Sequence, residues 1–362
     1  MSYSGRSLAE GGGSPAAQGY RMPAEWERHE SVWLSWPCNT ETFPGRIEEV
    51  ERTYCTVIAA LAGGERIDLL VRDARMRRRV EELLERAGGV VGAVADAGAV
   101  HYHLYDYGDV WFRDYGPTFL VNAEGKRLAM VDWLFNAWGG KYEELIQDTS
   151  IPAFMNRSLS LPLFTPSIVL EGGSIDVNGA GTLLTTEECL LNRNRNPSLT
   201  REEIEERLRD YLGVRKIIWL KSGIGGDDTD GHIDDIARFV APSTVLCAYE
   251  ANESDENHAP LRENYEILLR ATDQDGRGVE VKKVPMPPAI RSEGRRLPAS
   301  YTNFYIGNRA VLVPLFGCDT DEEALAIIGP LFPGREIVGI DCRDLVFGCG
   351  ALHCISQQQP AL

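Results

Sequence analysis

The sequence predicts an α/β protein built as one large domain: short β-rich runs alternate with amphipathic helical segments along the chain, and no linker interrupts that alternation. Of its 362 residues 43% are apolar and 25% charged, a balance that sustains a sizeable core.

The β-rich runs fall at 31–36, 66–71, 118–121, 181–186, 216–220 and 310–314. Helical periodicity is clear at roughly 45–62, 74–87, 200–211 and 321–331. The helix beginning at Thr200 carries its own start signal, a capping threonine with Glu203 three residues on. The first twenty residues, with Gly-Gly-Gly-Ser-Pro-Ala at 11–16, read as a flexible tail, leaving 21–362 as a single domain.

Composition narrows the function. The formal charge of −17 works against nucleic acid and anionic membranes and suits a cationic small ligand, although acidic excess also serves solubility. The sequence shows neither a run of eighteen apolar residues nor a basic segment followed by an apolar stretch, so a cytoplasmic location is expected. Oligomeric state is left open, a homo-oligomer included. The eight cysteines, at 38, 55, 189, 247, 318, 342, 349 and 354, are scattered without a disulfide or zinc pattern, and most are expected to pack as small hydrophobes.

Four segments stand where a strand or helix gives way to Gly, Asp or Pro, the loops that carry function on a rigid scaffold: 106–117, 170–174, 225–235 and 348–354. Taken singly their residues have ordinary readings. Cys354 in isolation is more often structural, Asp114 beside Arg113 reads as an ion pair, and Glu171 before two glycines marks a turn. The acidic run Asp227, Asp228, Asp230 and Asp235 reads as a solvated turn or part of a calcium loop. If 231–235 is extended, His232 and Asp234 share one face. Together, a thiol, a histidine and three carboxylates make chemical sense around a guanidinium. Paired carboxylates hold its planar N–H fork, and its charge favours a thiolate.

The chain resembles the agmatine deiminase and bacterial peptidylarginine deiminase family of the guanidine-modifying pentein superfamily. The resemblance runs from Arg-Met-Pro-Ala-Glu-Trp-Glu (21–27) to Gln-Gln-Gln-Pro (357–360). Between them stand Trp-Phe-Arg-Asp-Tyr-Gly-Pro (111–117), Phe-Asn-Ala-Trp-Gly-Gly-Lys-Tyr (135–142), the Leu-Glu-Gly-Gly-Ser-Ile segment at 170, the run 184–197, Thr-Asp-Gly-His-Ile-Asp-Asp (229–235) and Ser-Tyr-Thr-Asn-Phe-Tyr-Ile (300–306). It implies a five-bladed pseudo-symmetric α/β propeller of ββαβ units with the active site on its axis. Carried over, Cys354 is the nucleophile, His232 the general acid/base, and Asp114 with Asp234 the pair that grips the guanidinium. Glu171 is a further carboxylate and Trp111 the aromatic wall beside the substrate.

The implied reaction removes ammonia from agmatine to give N-carbamoylputrescine through an amidino-thioether on Cys354, with no cofactor or metal. Alternatives are deimination of free or peptidyl arginine or another guanidino compound, amidino transfer, and non-catalytic guanidinium binding. The sequence departs from the agmatine pattern at Cys349 and Ala351, where glycine and asparagine are expected, and at Tyr115, Asp176, Asp235 and Arg238. These leave the guanidinium chemistry intact and put the tail specificity in question. An α-carboxylate would call for a cation such as Arg238 or Arg113.

Overall fold

Consecutive elements usually lie side by side, and that local pairing builds most of this chain. The computed structural model describes residues 13–91, 99–122, 124 and 126–362. Four units repeat one pattern of an antiparallel pair followed by a helix and a parallel third strand. Thr118–Asn122 pairs antiparallel with Arg127–Val131, which pairs parallel with Leu163–Phe164 beyond the helix Ile151–Leu159. Asp176–Val177, Thr182–Thr186 and Lys216–Leu220 repeat this around Arg201–Leu212. Ala237–Ala241, Thr244–Tyr249 and Glu280–Pro285 do so around His258–Arg270, and Tyr305–Ile306, Ala310–Leu315 and Glu336–Asp341 around Thr320–Ile328.

The fifth unit joins the chain's two ends. Ser356–Pro360 pairs antiparallel with His29–Ser35, which runs parallel to Arg66–Val71 beyond the helix Ile47–Leu61. A further helix, Ala74–Val91, leads to a fourth strand, Val100–Leu104. Trp33 locks the closure by donating its Nε1 proton to Gln359 Oε1 at 3.0 Å.

All six sequence-expected strands and all four helices are present. The capping box at Thr200 forms as anticipated, with Thr200 accepting from the Glu203 amide and Glu203 accepting in return. The helix expected over 321–331 ends at Ile328 and passes into a 3-10 turn, Gly329–Leu331, because Pro330 has no amide proton to continue the ladder. Of the tail expected over 1–20, residues 1–12 lie outside the described residues. The remainder carries a 3-10 turn, Ala16–Gln18, whose Gln18 carbonyl accepts from Asn122 Nδ2 at 2.8 Å, and Tyr20 is buried. Among the described residues no helix is long and apolar enough to cross a membrane.

Candidate active site

Each unit's first strand is preceded by a loop, and the four loops singled out in the sequence occupy that same position in four different units. The remaining unit, whose first strand is Tyr305–Ile306, has its equivalent loop at 300–304, which was not singled out as a site loop and contributes Asn303. Strands that end at one level deliver their entry loops to one place, and here those loops meet around a thiol.

Cys354 is 6% exposed. Its Sγ lies 3.0 Å from Asn303 Nδ2 and 3.7 Å from Asp234 Oδ2. Asn303 Oδ1 accepts from the amides of His353 and Cys354 at 3.0 and 3.3 Å, so one side chain fixes both the backbone and the sulfur. Burial, reinforced by Asp234, Asp235 and Asp114, pushes the thiol well above the usual cysteine range. Without a bound cation the sulfur stays protonated.

His232 is 1% exposed, with Nδ1 3.7 Å from Asp114 Oδ1 and neither ring nitrogen in a regular hydrogen bond. Burial opposes its charging, but Asp114, Cys189 and Asp234 outweigh it and hold the imidazolium well above the ordinary histidine range. Asp114 accepts from Trp138 Nε1 at 2.9 Å and from the Gly173 amide at 3.0 Å. A Cβ at Gly173 would come within 2.5 Å of His232 Nδ1 and 2.9 Å of Asp114 Oδ1, which is why only glycine serves there. Burial raises Asp114 to about 6 although His232 pulls the other way.

Trp138 itself sits in a run of left-handed backbone, with φ of 55° at Ala137, 52° at Trp138, 81° at Gly139 and 79° at Gly140. Two consecutive non-glycine residues in that region are costly, and the surroundings that impose it turn the indole N–H onto Asp114.

Glu171 is fully buried; Oε1 accepts from Arg195 Nε at 2.6 Å and Oε2 has no partner. Asp234 Oδ2 accepts from His353 Nδ1 at 2.7 Å, and Oδ1 is unpaired. Trp111 packs on Phe43 at a centroid distance of 6.1 Å and walls the pocket that holds Asp114 and Cys354. The structure therefore brings Cys354, Asp234, Asp114, His232 and Glu171 into one buried group with Trp111 at its entrance.

Three readings are corrected. The segment around His232 is not extended: Ile233–Asp235 forms a 3-10 turn closed by Ile236 N to Ile233 O at 2.9 Å. Asp227 forces the bend by accepting from the amides of Gly231 and His232 at 2.9 and 3.2 Å. The acidic run is no calcium loop, since Asp230 pairs with Arg195 and Lys141, each at 2.7 Å, and Asp235 with Asn303 at 3.0 Å. Nor do Arg113 and Arg238 face the thiol's pocket. Arg238 is 1% exposed between Glu25 and Asp176, and Arg113 donates to Gln358 Oε1 at 2.8 Å.

The pocket in front of Cys354 encloses about 270 Å³ and is lined by the carboxylates of Glu41, Asp109, Asp114, Glu144 and Asp228, with Arg295 as its one cation. Arg295 is already engaged with Asp228 at 3.3 Å. Sequence reasoning had also missed His353, Glu25, Arg195, Cys189 and Trp138. All five lie in segments singled out or quoted for the resemblance, so the signal was present and unread.

Residues 21–360 match the family model of the Porphyromonas-type peptidyl-arginine deiminases. The chain belongs to that family. Over 349 residues it is 41% identical to a putative agmatine deiminase of Legionella pneumophila, covering 96% of this chain and 97% of the relative. It is 37% identical to the agmatine deiminase of Medicago truncatula, over 96% and 98% of the two chains. Among solved structures, the agmatine deiminase of Enterococcus faecalis superposes with a TM-score of 0.89 at 33% identity, over 97% of this chain and 98% of that one. The fold is thus the mixed-sheet α/β fold of these deiminases.

Proposed function

We propose that this family member hydrolyses the guanidinium group of agmatine to N-carbamoylputrescine and ammonia. The observation that carries the choice of substrate is the charge of the pocket before Cys354, where five carboxylates face one already paired arginine. A primary ammonium tail is welcome there and an α-carboxylate is not. The names of the Legionella, Medicago and Enterococcus relatives point the same way. In this reading the five ββαβ units are the blades of a propeller closed by Ser356–Pro360. The eight unpaired cysteines favour a reducing, cytoplasmic setting.

The guanidinium docks between Asp114 and Asp234, which grip its N–H fork, with Trp111 along the alkyl chain and Glu171 completing the negative rim. Its positive charge relieves the repulsion that keeps Cys354 protonated, and the thiol releases its proton to solvent as the guanidinium binds. The thiolate then adds to the guanidinium carbon. The imidazolium of His232 protonates the departing nitrogen, ammonia leaves, and an amidino-thioether remains on Cys354. Neutral His232 next takes a proton from water, the hydroxide adds to the same carbon, and collapse releases the ureido product and the sulfur.

Ammonia release from agmatine, arginine and an arginine peptide, with Cys354→Ala as control, tests this. Release from agmatine in preference to the others is expected. Preference for arginine or the peptide overturns the substrate, and release that survives Cys354→Ala overturns the mechanism.

A further inference from the structure

Glu171, Cys189 and His232 converge on one buried point. One donor atom from each lies within 4.8 Å of the other two, and all three residues are buried. Glu171 Oε2 lacks a hydrogen-bond partner there, and His232 makes no hydrogen bond of regular geometry, its ring facing the Cys189 thiol and, at 3.7 Å, Asp114. Leaving buried polar atoms unpaired is costly, so a ligand that satisfies them has a ready gain.

The carboxylate is also aimed. Arg195 holds Glu171 Oε1 at 2.6 Å and is itself fixed by Asp230, Asn194 and the Thr229 carbonyl at 2.7–2.8 Å. That fixes the carboxylate and leaves Oε2 unpaired, the kind of outer support that bound metals generally require. A sulfur, a nitrogen and an oxygen at this spacing suit a borderline divalent ion. Tetrahedral zinc sets its donors about 3.5 Å apart, so movement of each donor by less than about 1 Å closes the set.

The geometry points to an inhibitory zinc site on Glu171, Cys189 and His232, distinct from the nucleophilic sulfur. On binding, S–Zn, N–Zn and O–Zn bonds form, and the thiol and imidazolium protons pass to solvent, with no redox change. The ion takes the imidazole lone pair that proton transfer uses, and it fills space the guanidinium approaches. Inhibition as a consequence rests on the role proposed for His232; the metal binding itself does not.

The test therefore uses full-length Cys354→Ala protein, in which no turnover is needed, titrated with Co2+ and then Zn2+. One equivalent of Co2+ should produce a thiolate-to-cobalt charge-transfer absorption that Zn2+ displaces and that is absent once Cys189→Ser is added. Glu171→Gln should weaken the affinity by about tenfold or more. A band that persists in Cys189→Ser, or the lack of any band in millimolar cobalt, overturns the site. Should Cys189→Ser fail to fold, an unchanged affinity in Glu171→Gln overturns it instead. An enzyme that prefers another guanidine would leave this result untouched, so the two proposals fail separately.

Discussion

His353 Nδ1 lies 2.7 Å from Asp234 Oδ2, so the residue preceding Cys354 in the chain holds one of the carboxylates that flank its sulfur. The other face of the same imidazole reaches Glu25 Oε2 at 2.9 Å. Glu25 in turn pairs with Arg238, and Arg238 with Asp176. Burial works against the charge on Glu25, yet Arg238 and His353 hold its carboxyl well below the usual range. Asp176 and Arg238, both unusual against the agmatine pattern, are thus two halves of one buried pair.

Arg238→Met should destabilise the fold by about 3–5 kcal/mol, because it strands Glu25 and Asp176 as buried charges. Denaturant unfolding measures this. A loss under about 1 kcal/mol, the range of surface pairs, would show the chain of charges to be dispensable.

The protonated state of Cys354 in the free protein has a kinetic signature. Iodoacetamide at neutral pH should alkylate Cys354 slowly, and a guanidinium ion too small to cover the sulfur should accelerate the reaction. Fast alkylation of the free protein at neutral pH would mean the thiolate is formed before substrate arrives. Cys354→Ala should lower kcat by roughly 10³-fold or more.

The raised carboxyl of Asp114 sets an acid limb. As pH falls through about 6 the free protein protonates Asp114 and loses a charge that binds the guanidinium, so kcat/KM should fall there. A bound cation favours the ionised form, so the acid limb of kcat should sit at lower pH. Coincident limbs would exclude Asp114 as the group that titrates. The same shift bears on stability. The contribution of Asp114 is fully present below the ordinary carboxylate range and is lost as pH rises through about 6. A guanidine ligand should therefore raise Tm more at pH 8 than at pH 5.

Trp138→Phe removes the 2.9 Å bond to Asp114 while keeping an aromatic ring in the left-handed loop. A hydrogen bond to a charged group contributes roughly 1.5–3 kcal/mol, so kcat/KM should drop by about tenfold or more, with little change in Tm. An equal loss in Trp138→Phe and in a Phe135→Leu control would assign the effect to packing instead.

The sequence by itself determined the local half of this protein. The alternation of β-rich runs and capped helices gave the α/β class, because period and capping act over a few residues. The recurring Gly and Asp loops marked Cys354, His232, Asp234, Asp114 and Glu171, because the chemistry of a thiol, a base and carboxylates is visible in side-chain type alone. Tertiary structure decided the rest. Ser356–Pro360, polar and proline-ended, carries no strand signal and becomes one only by pairing with His29–Ser35. The bend at His232 follows from where the Asp227 carboxylate falls, which a periodicity of two does not register. Arg238 looked free to meet a substrate and is instead spent on Glu25, 213 positions away. A buried charge takes whichever partner the fold sets beside it, and that partner is fixed by the meeting of loops from five units rather than by any spacing along the chain.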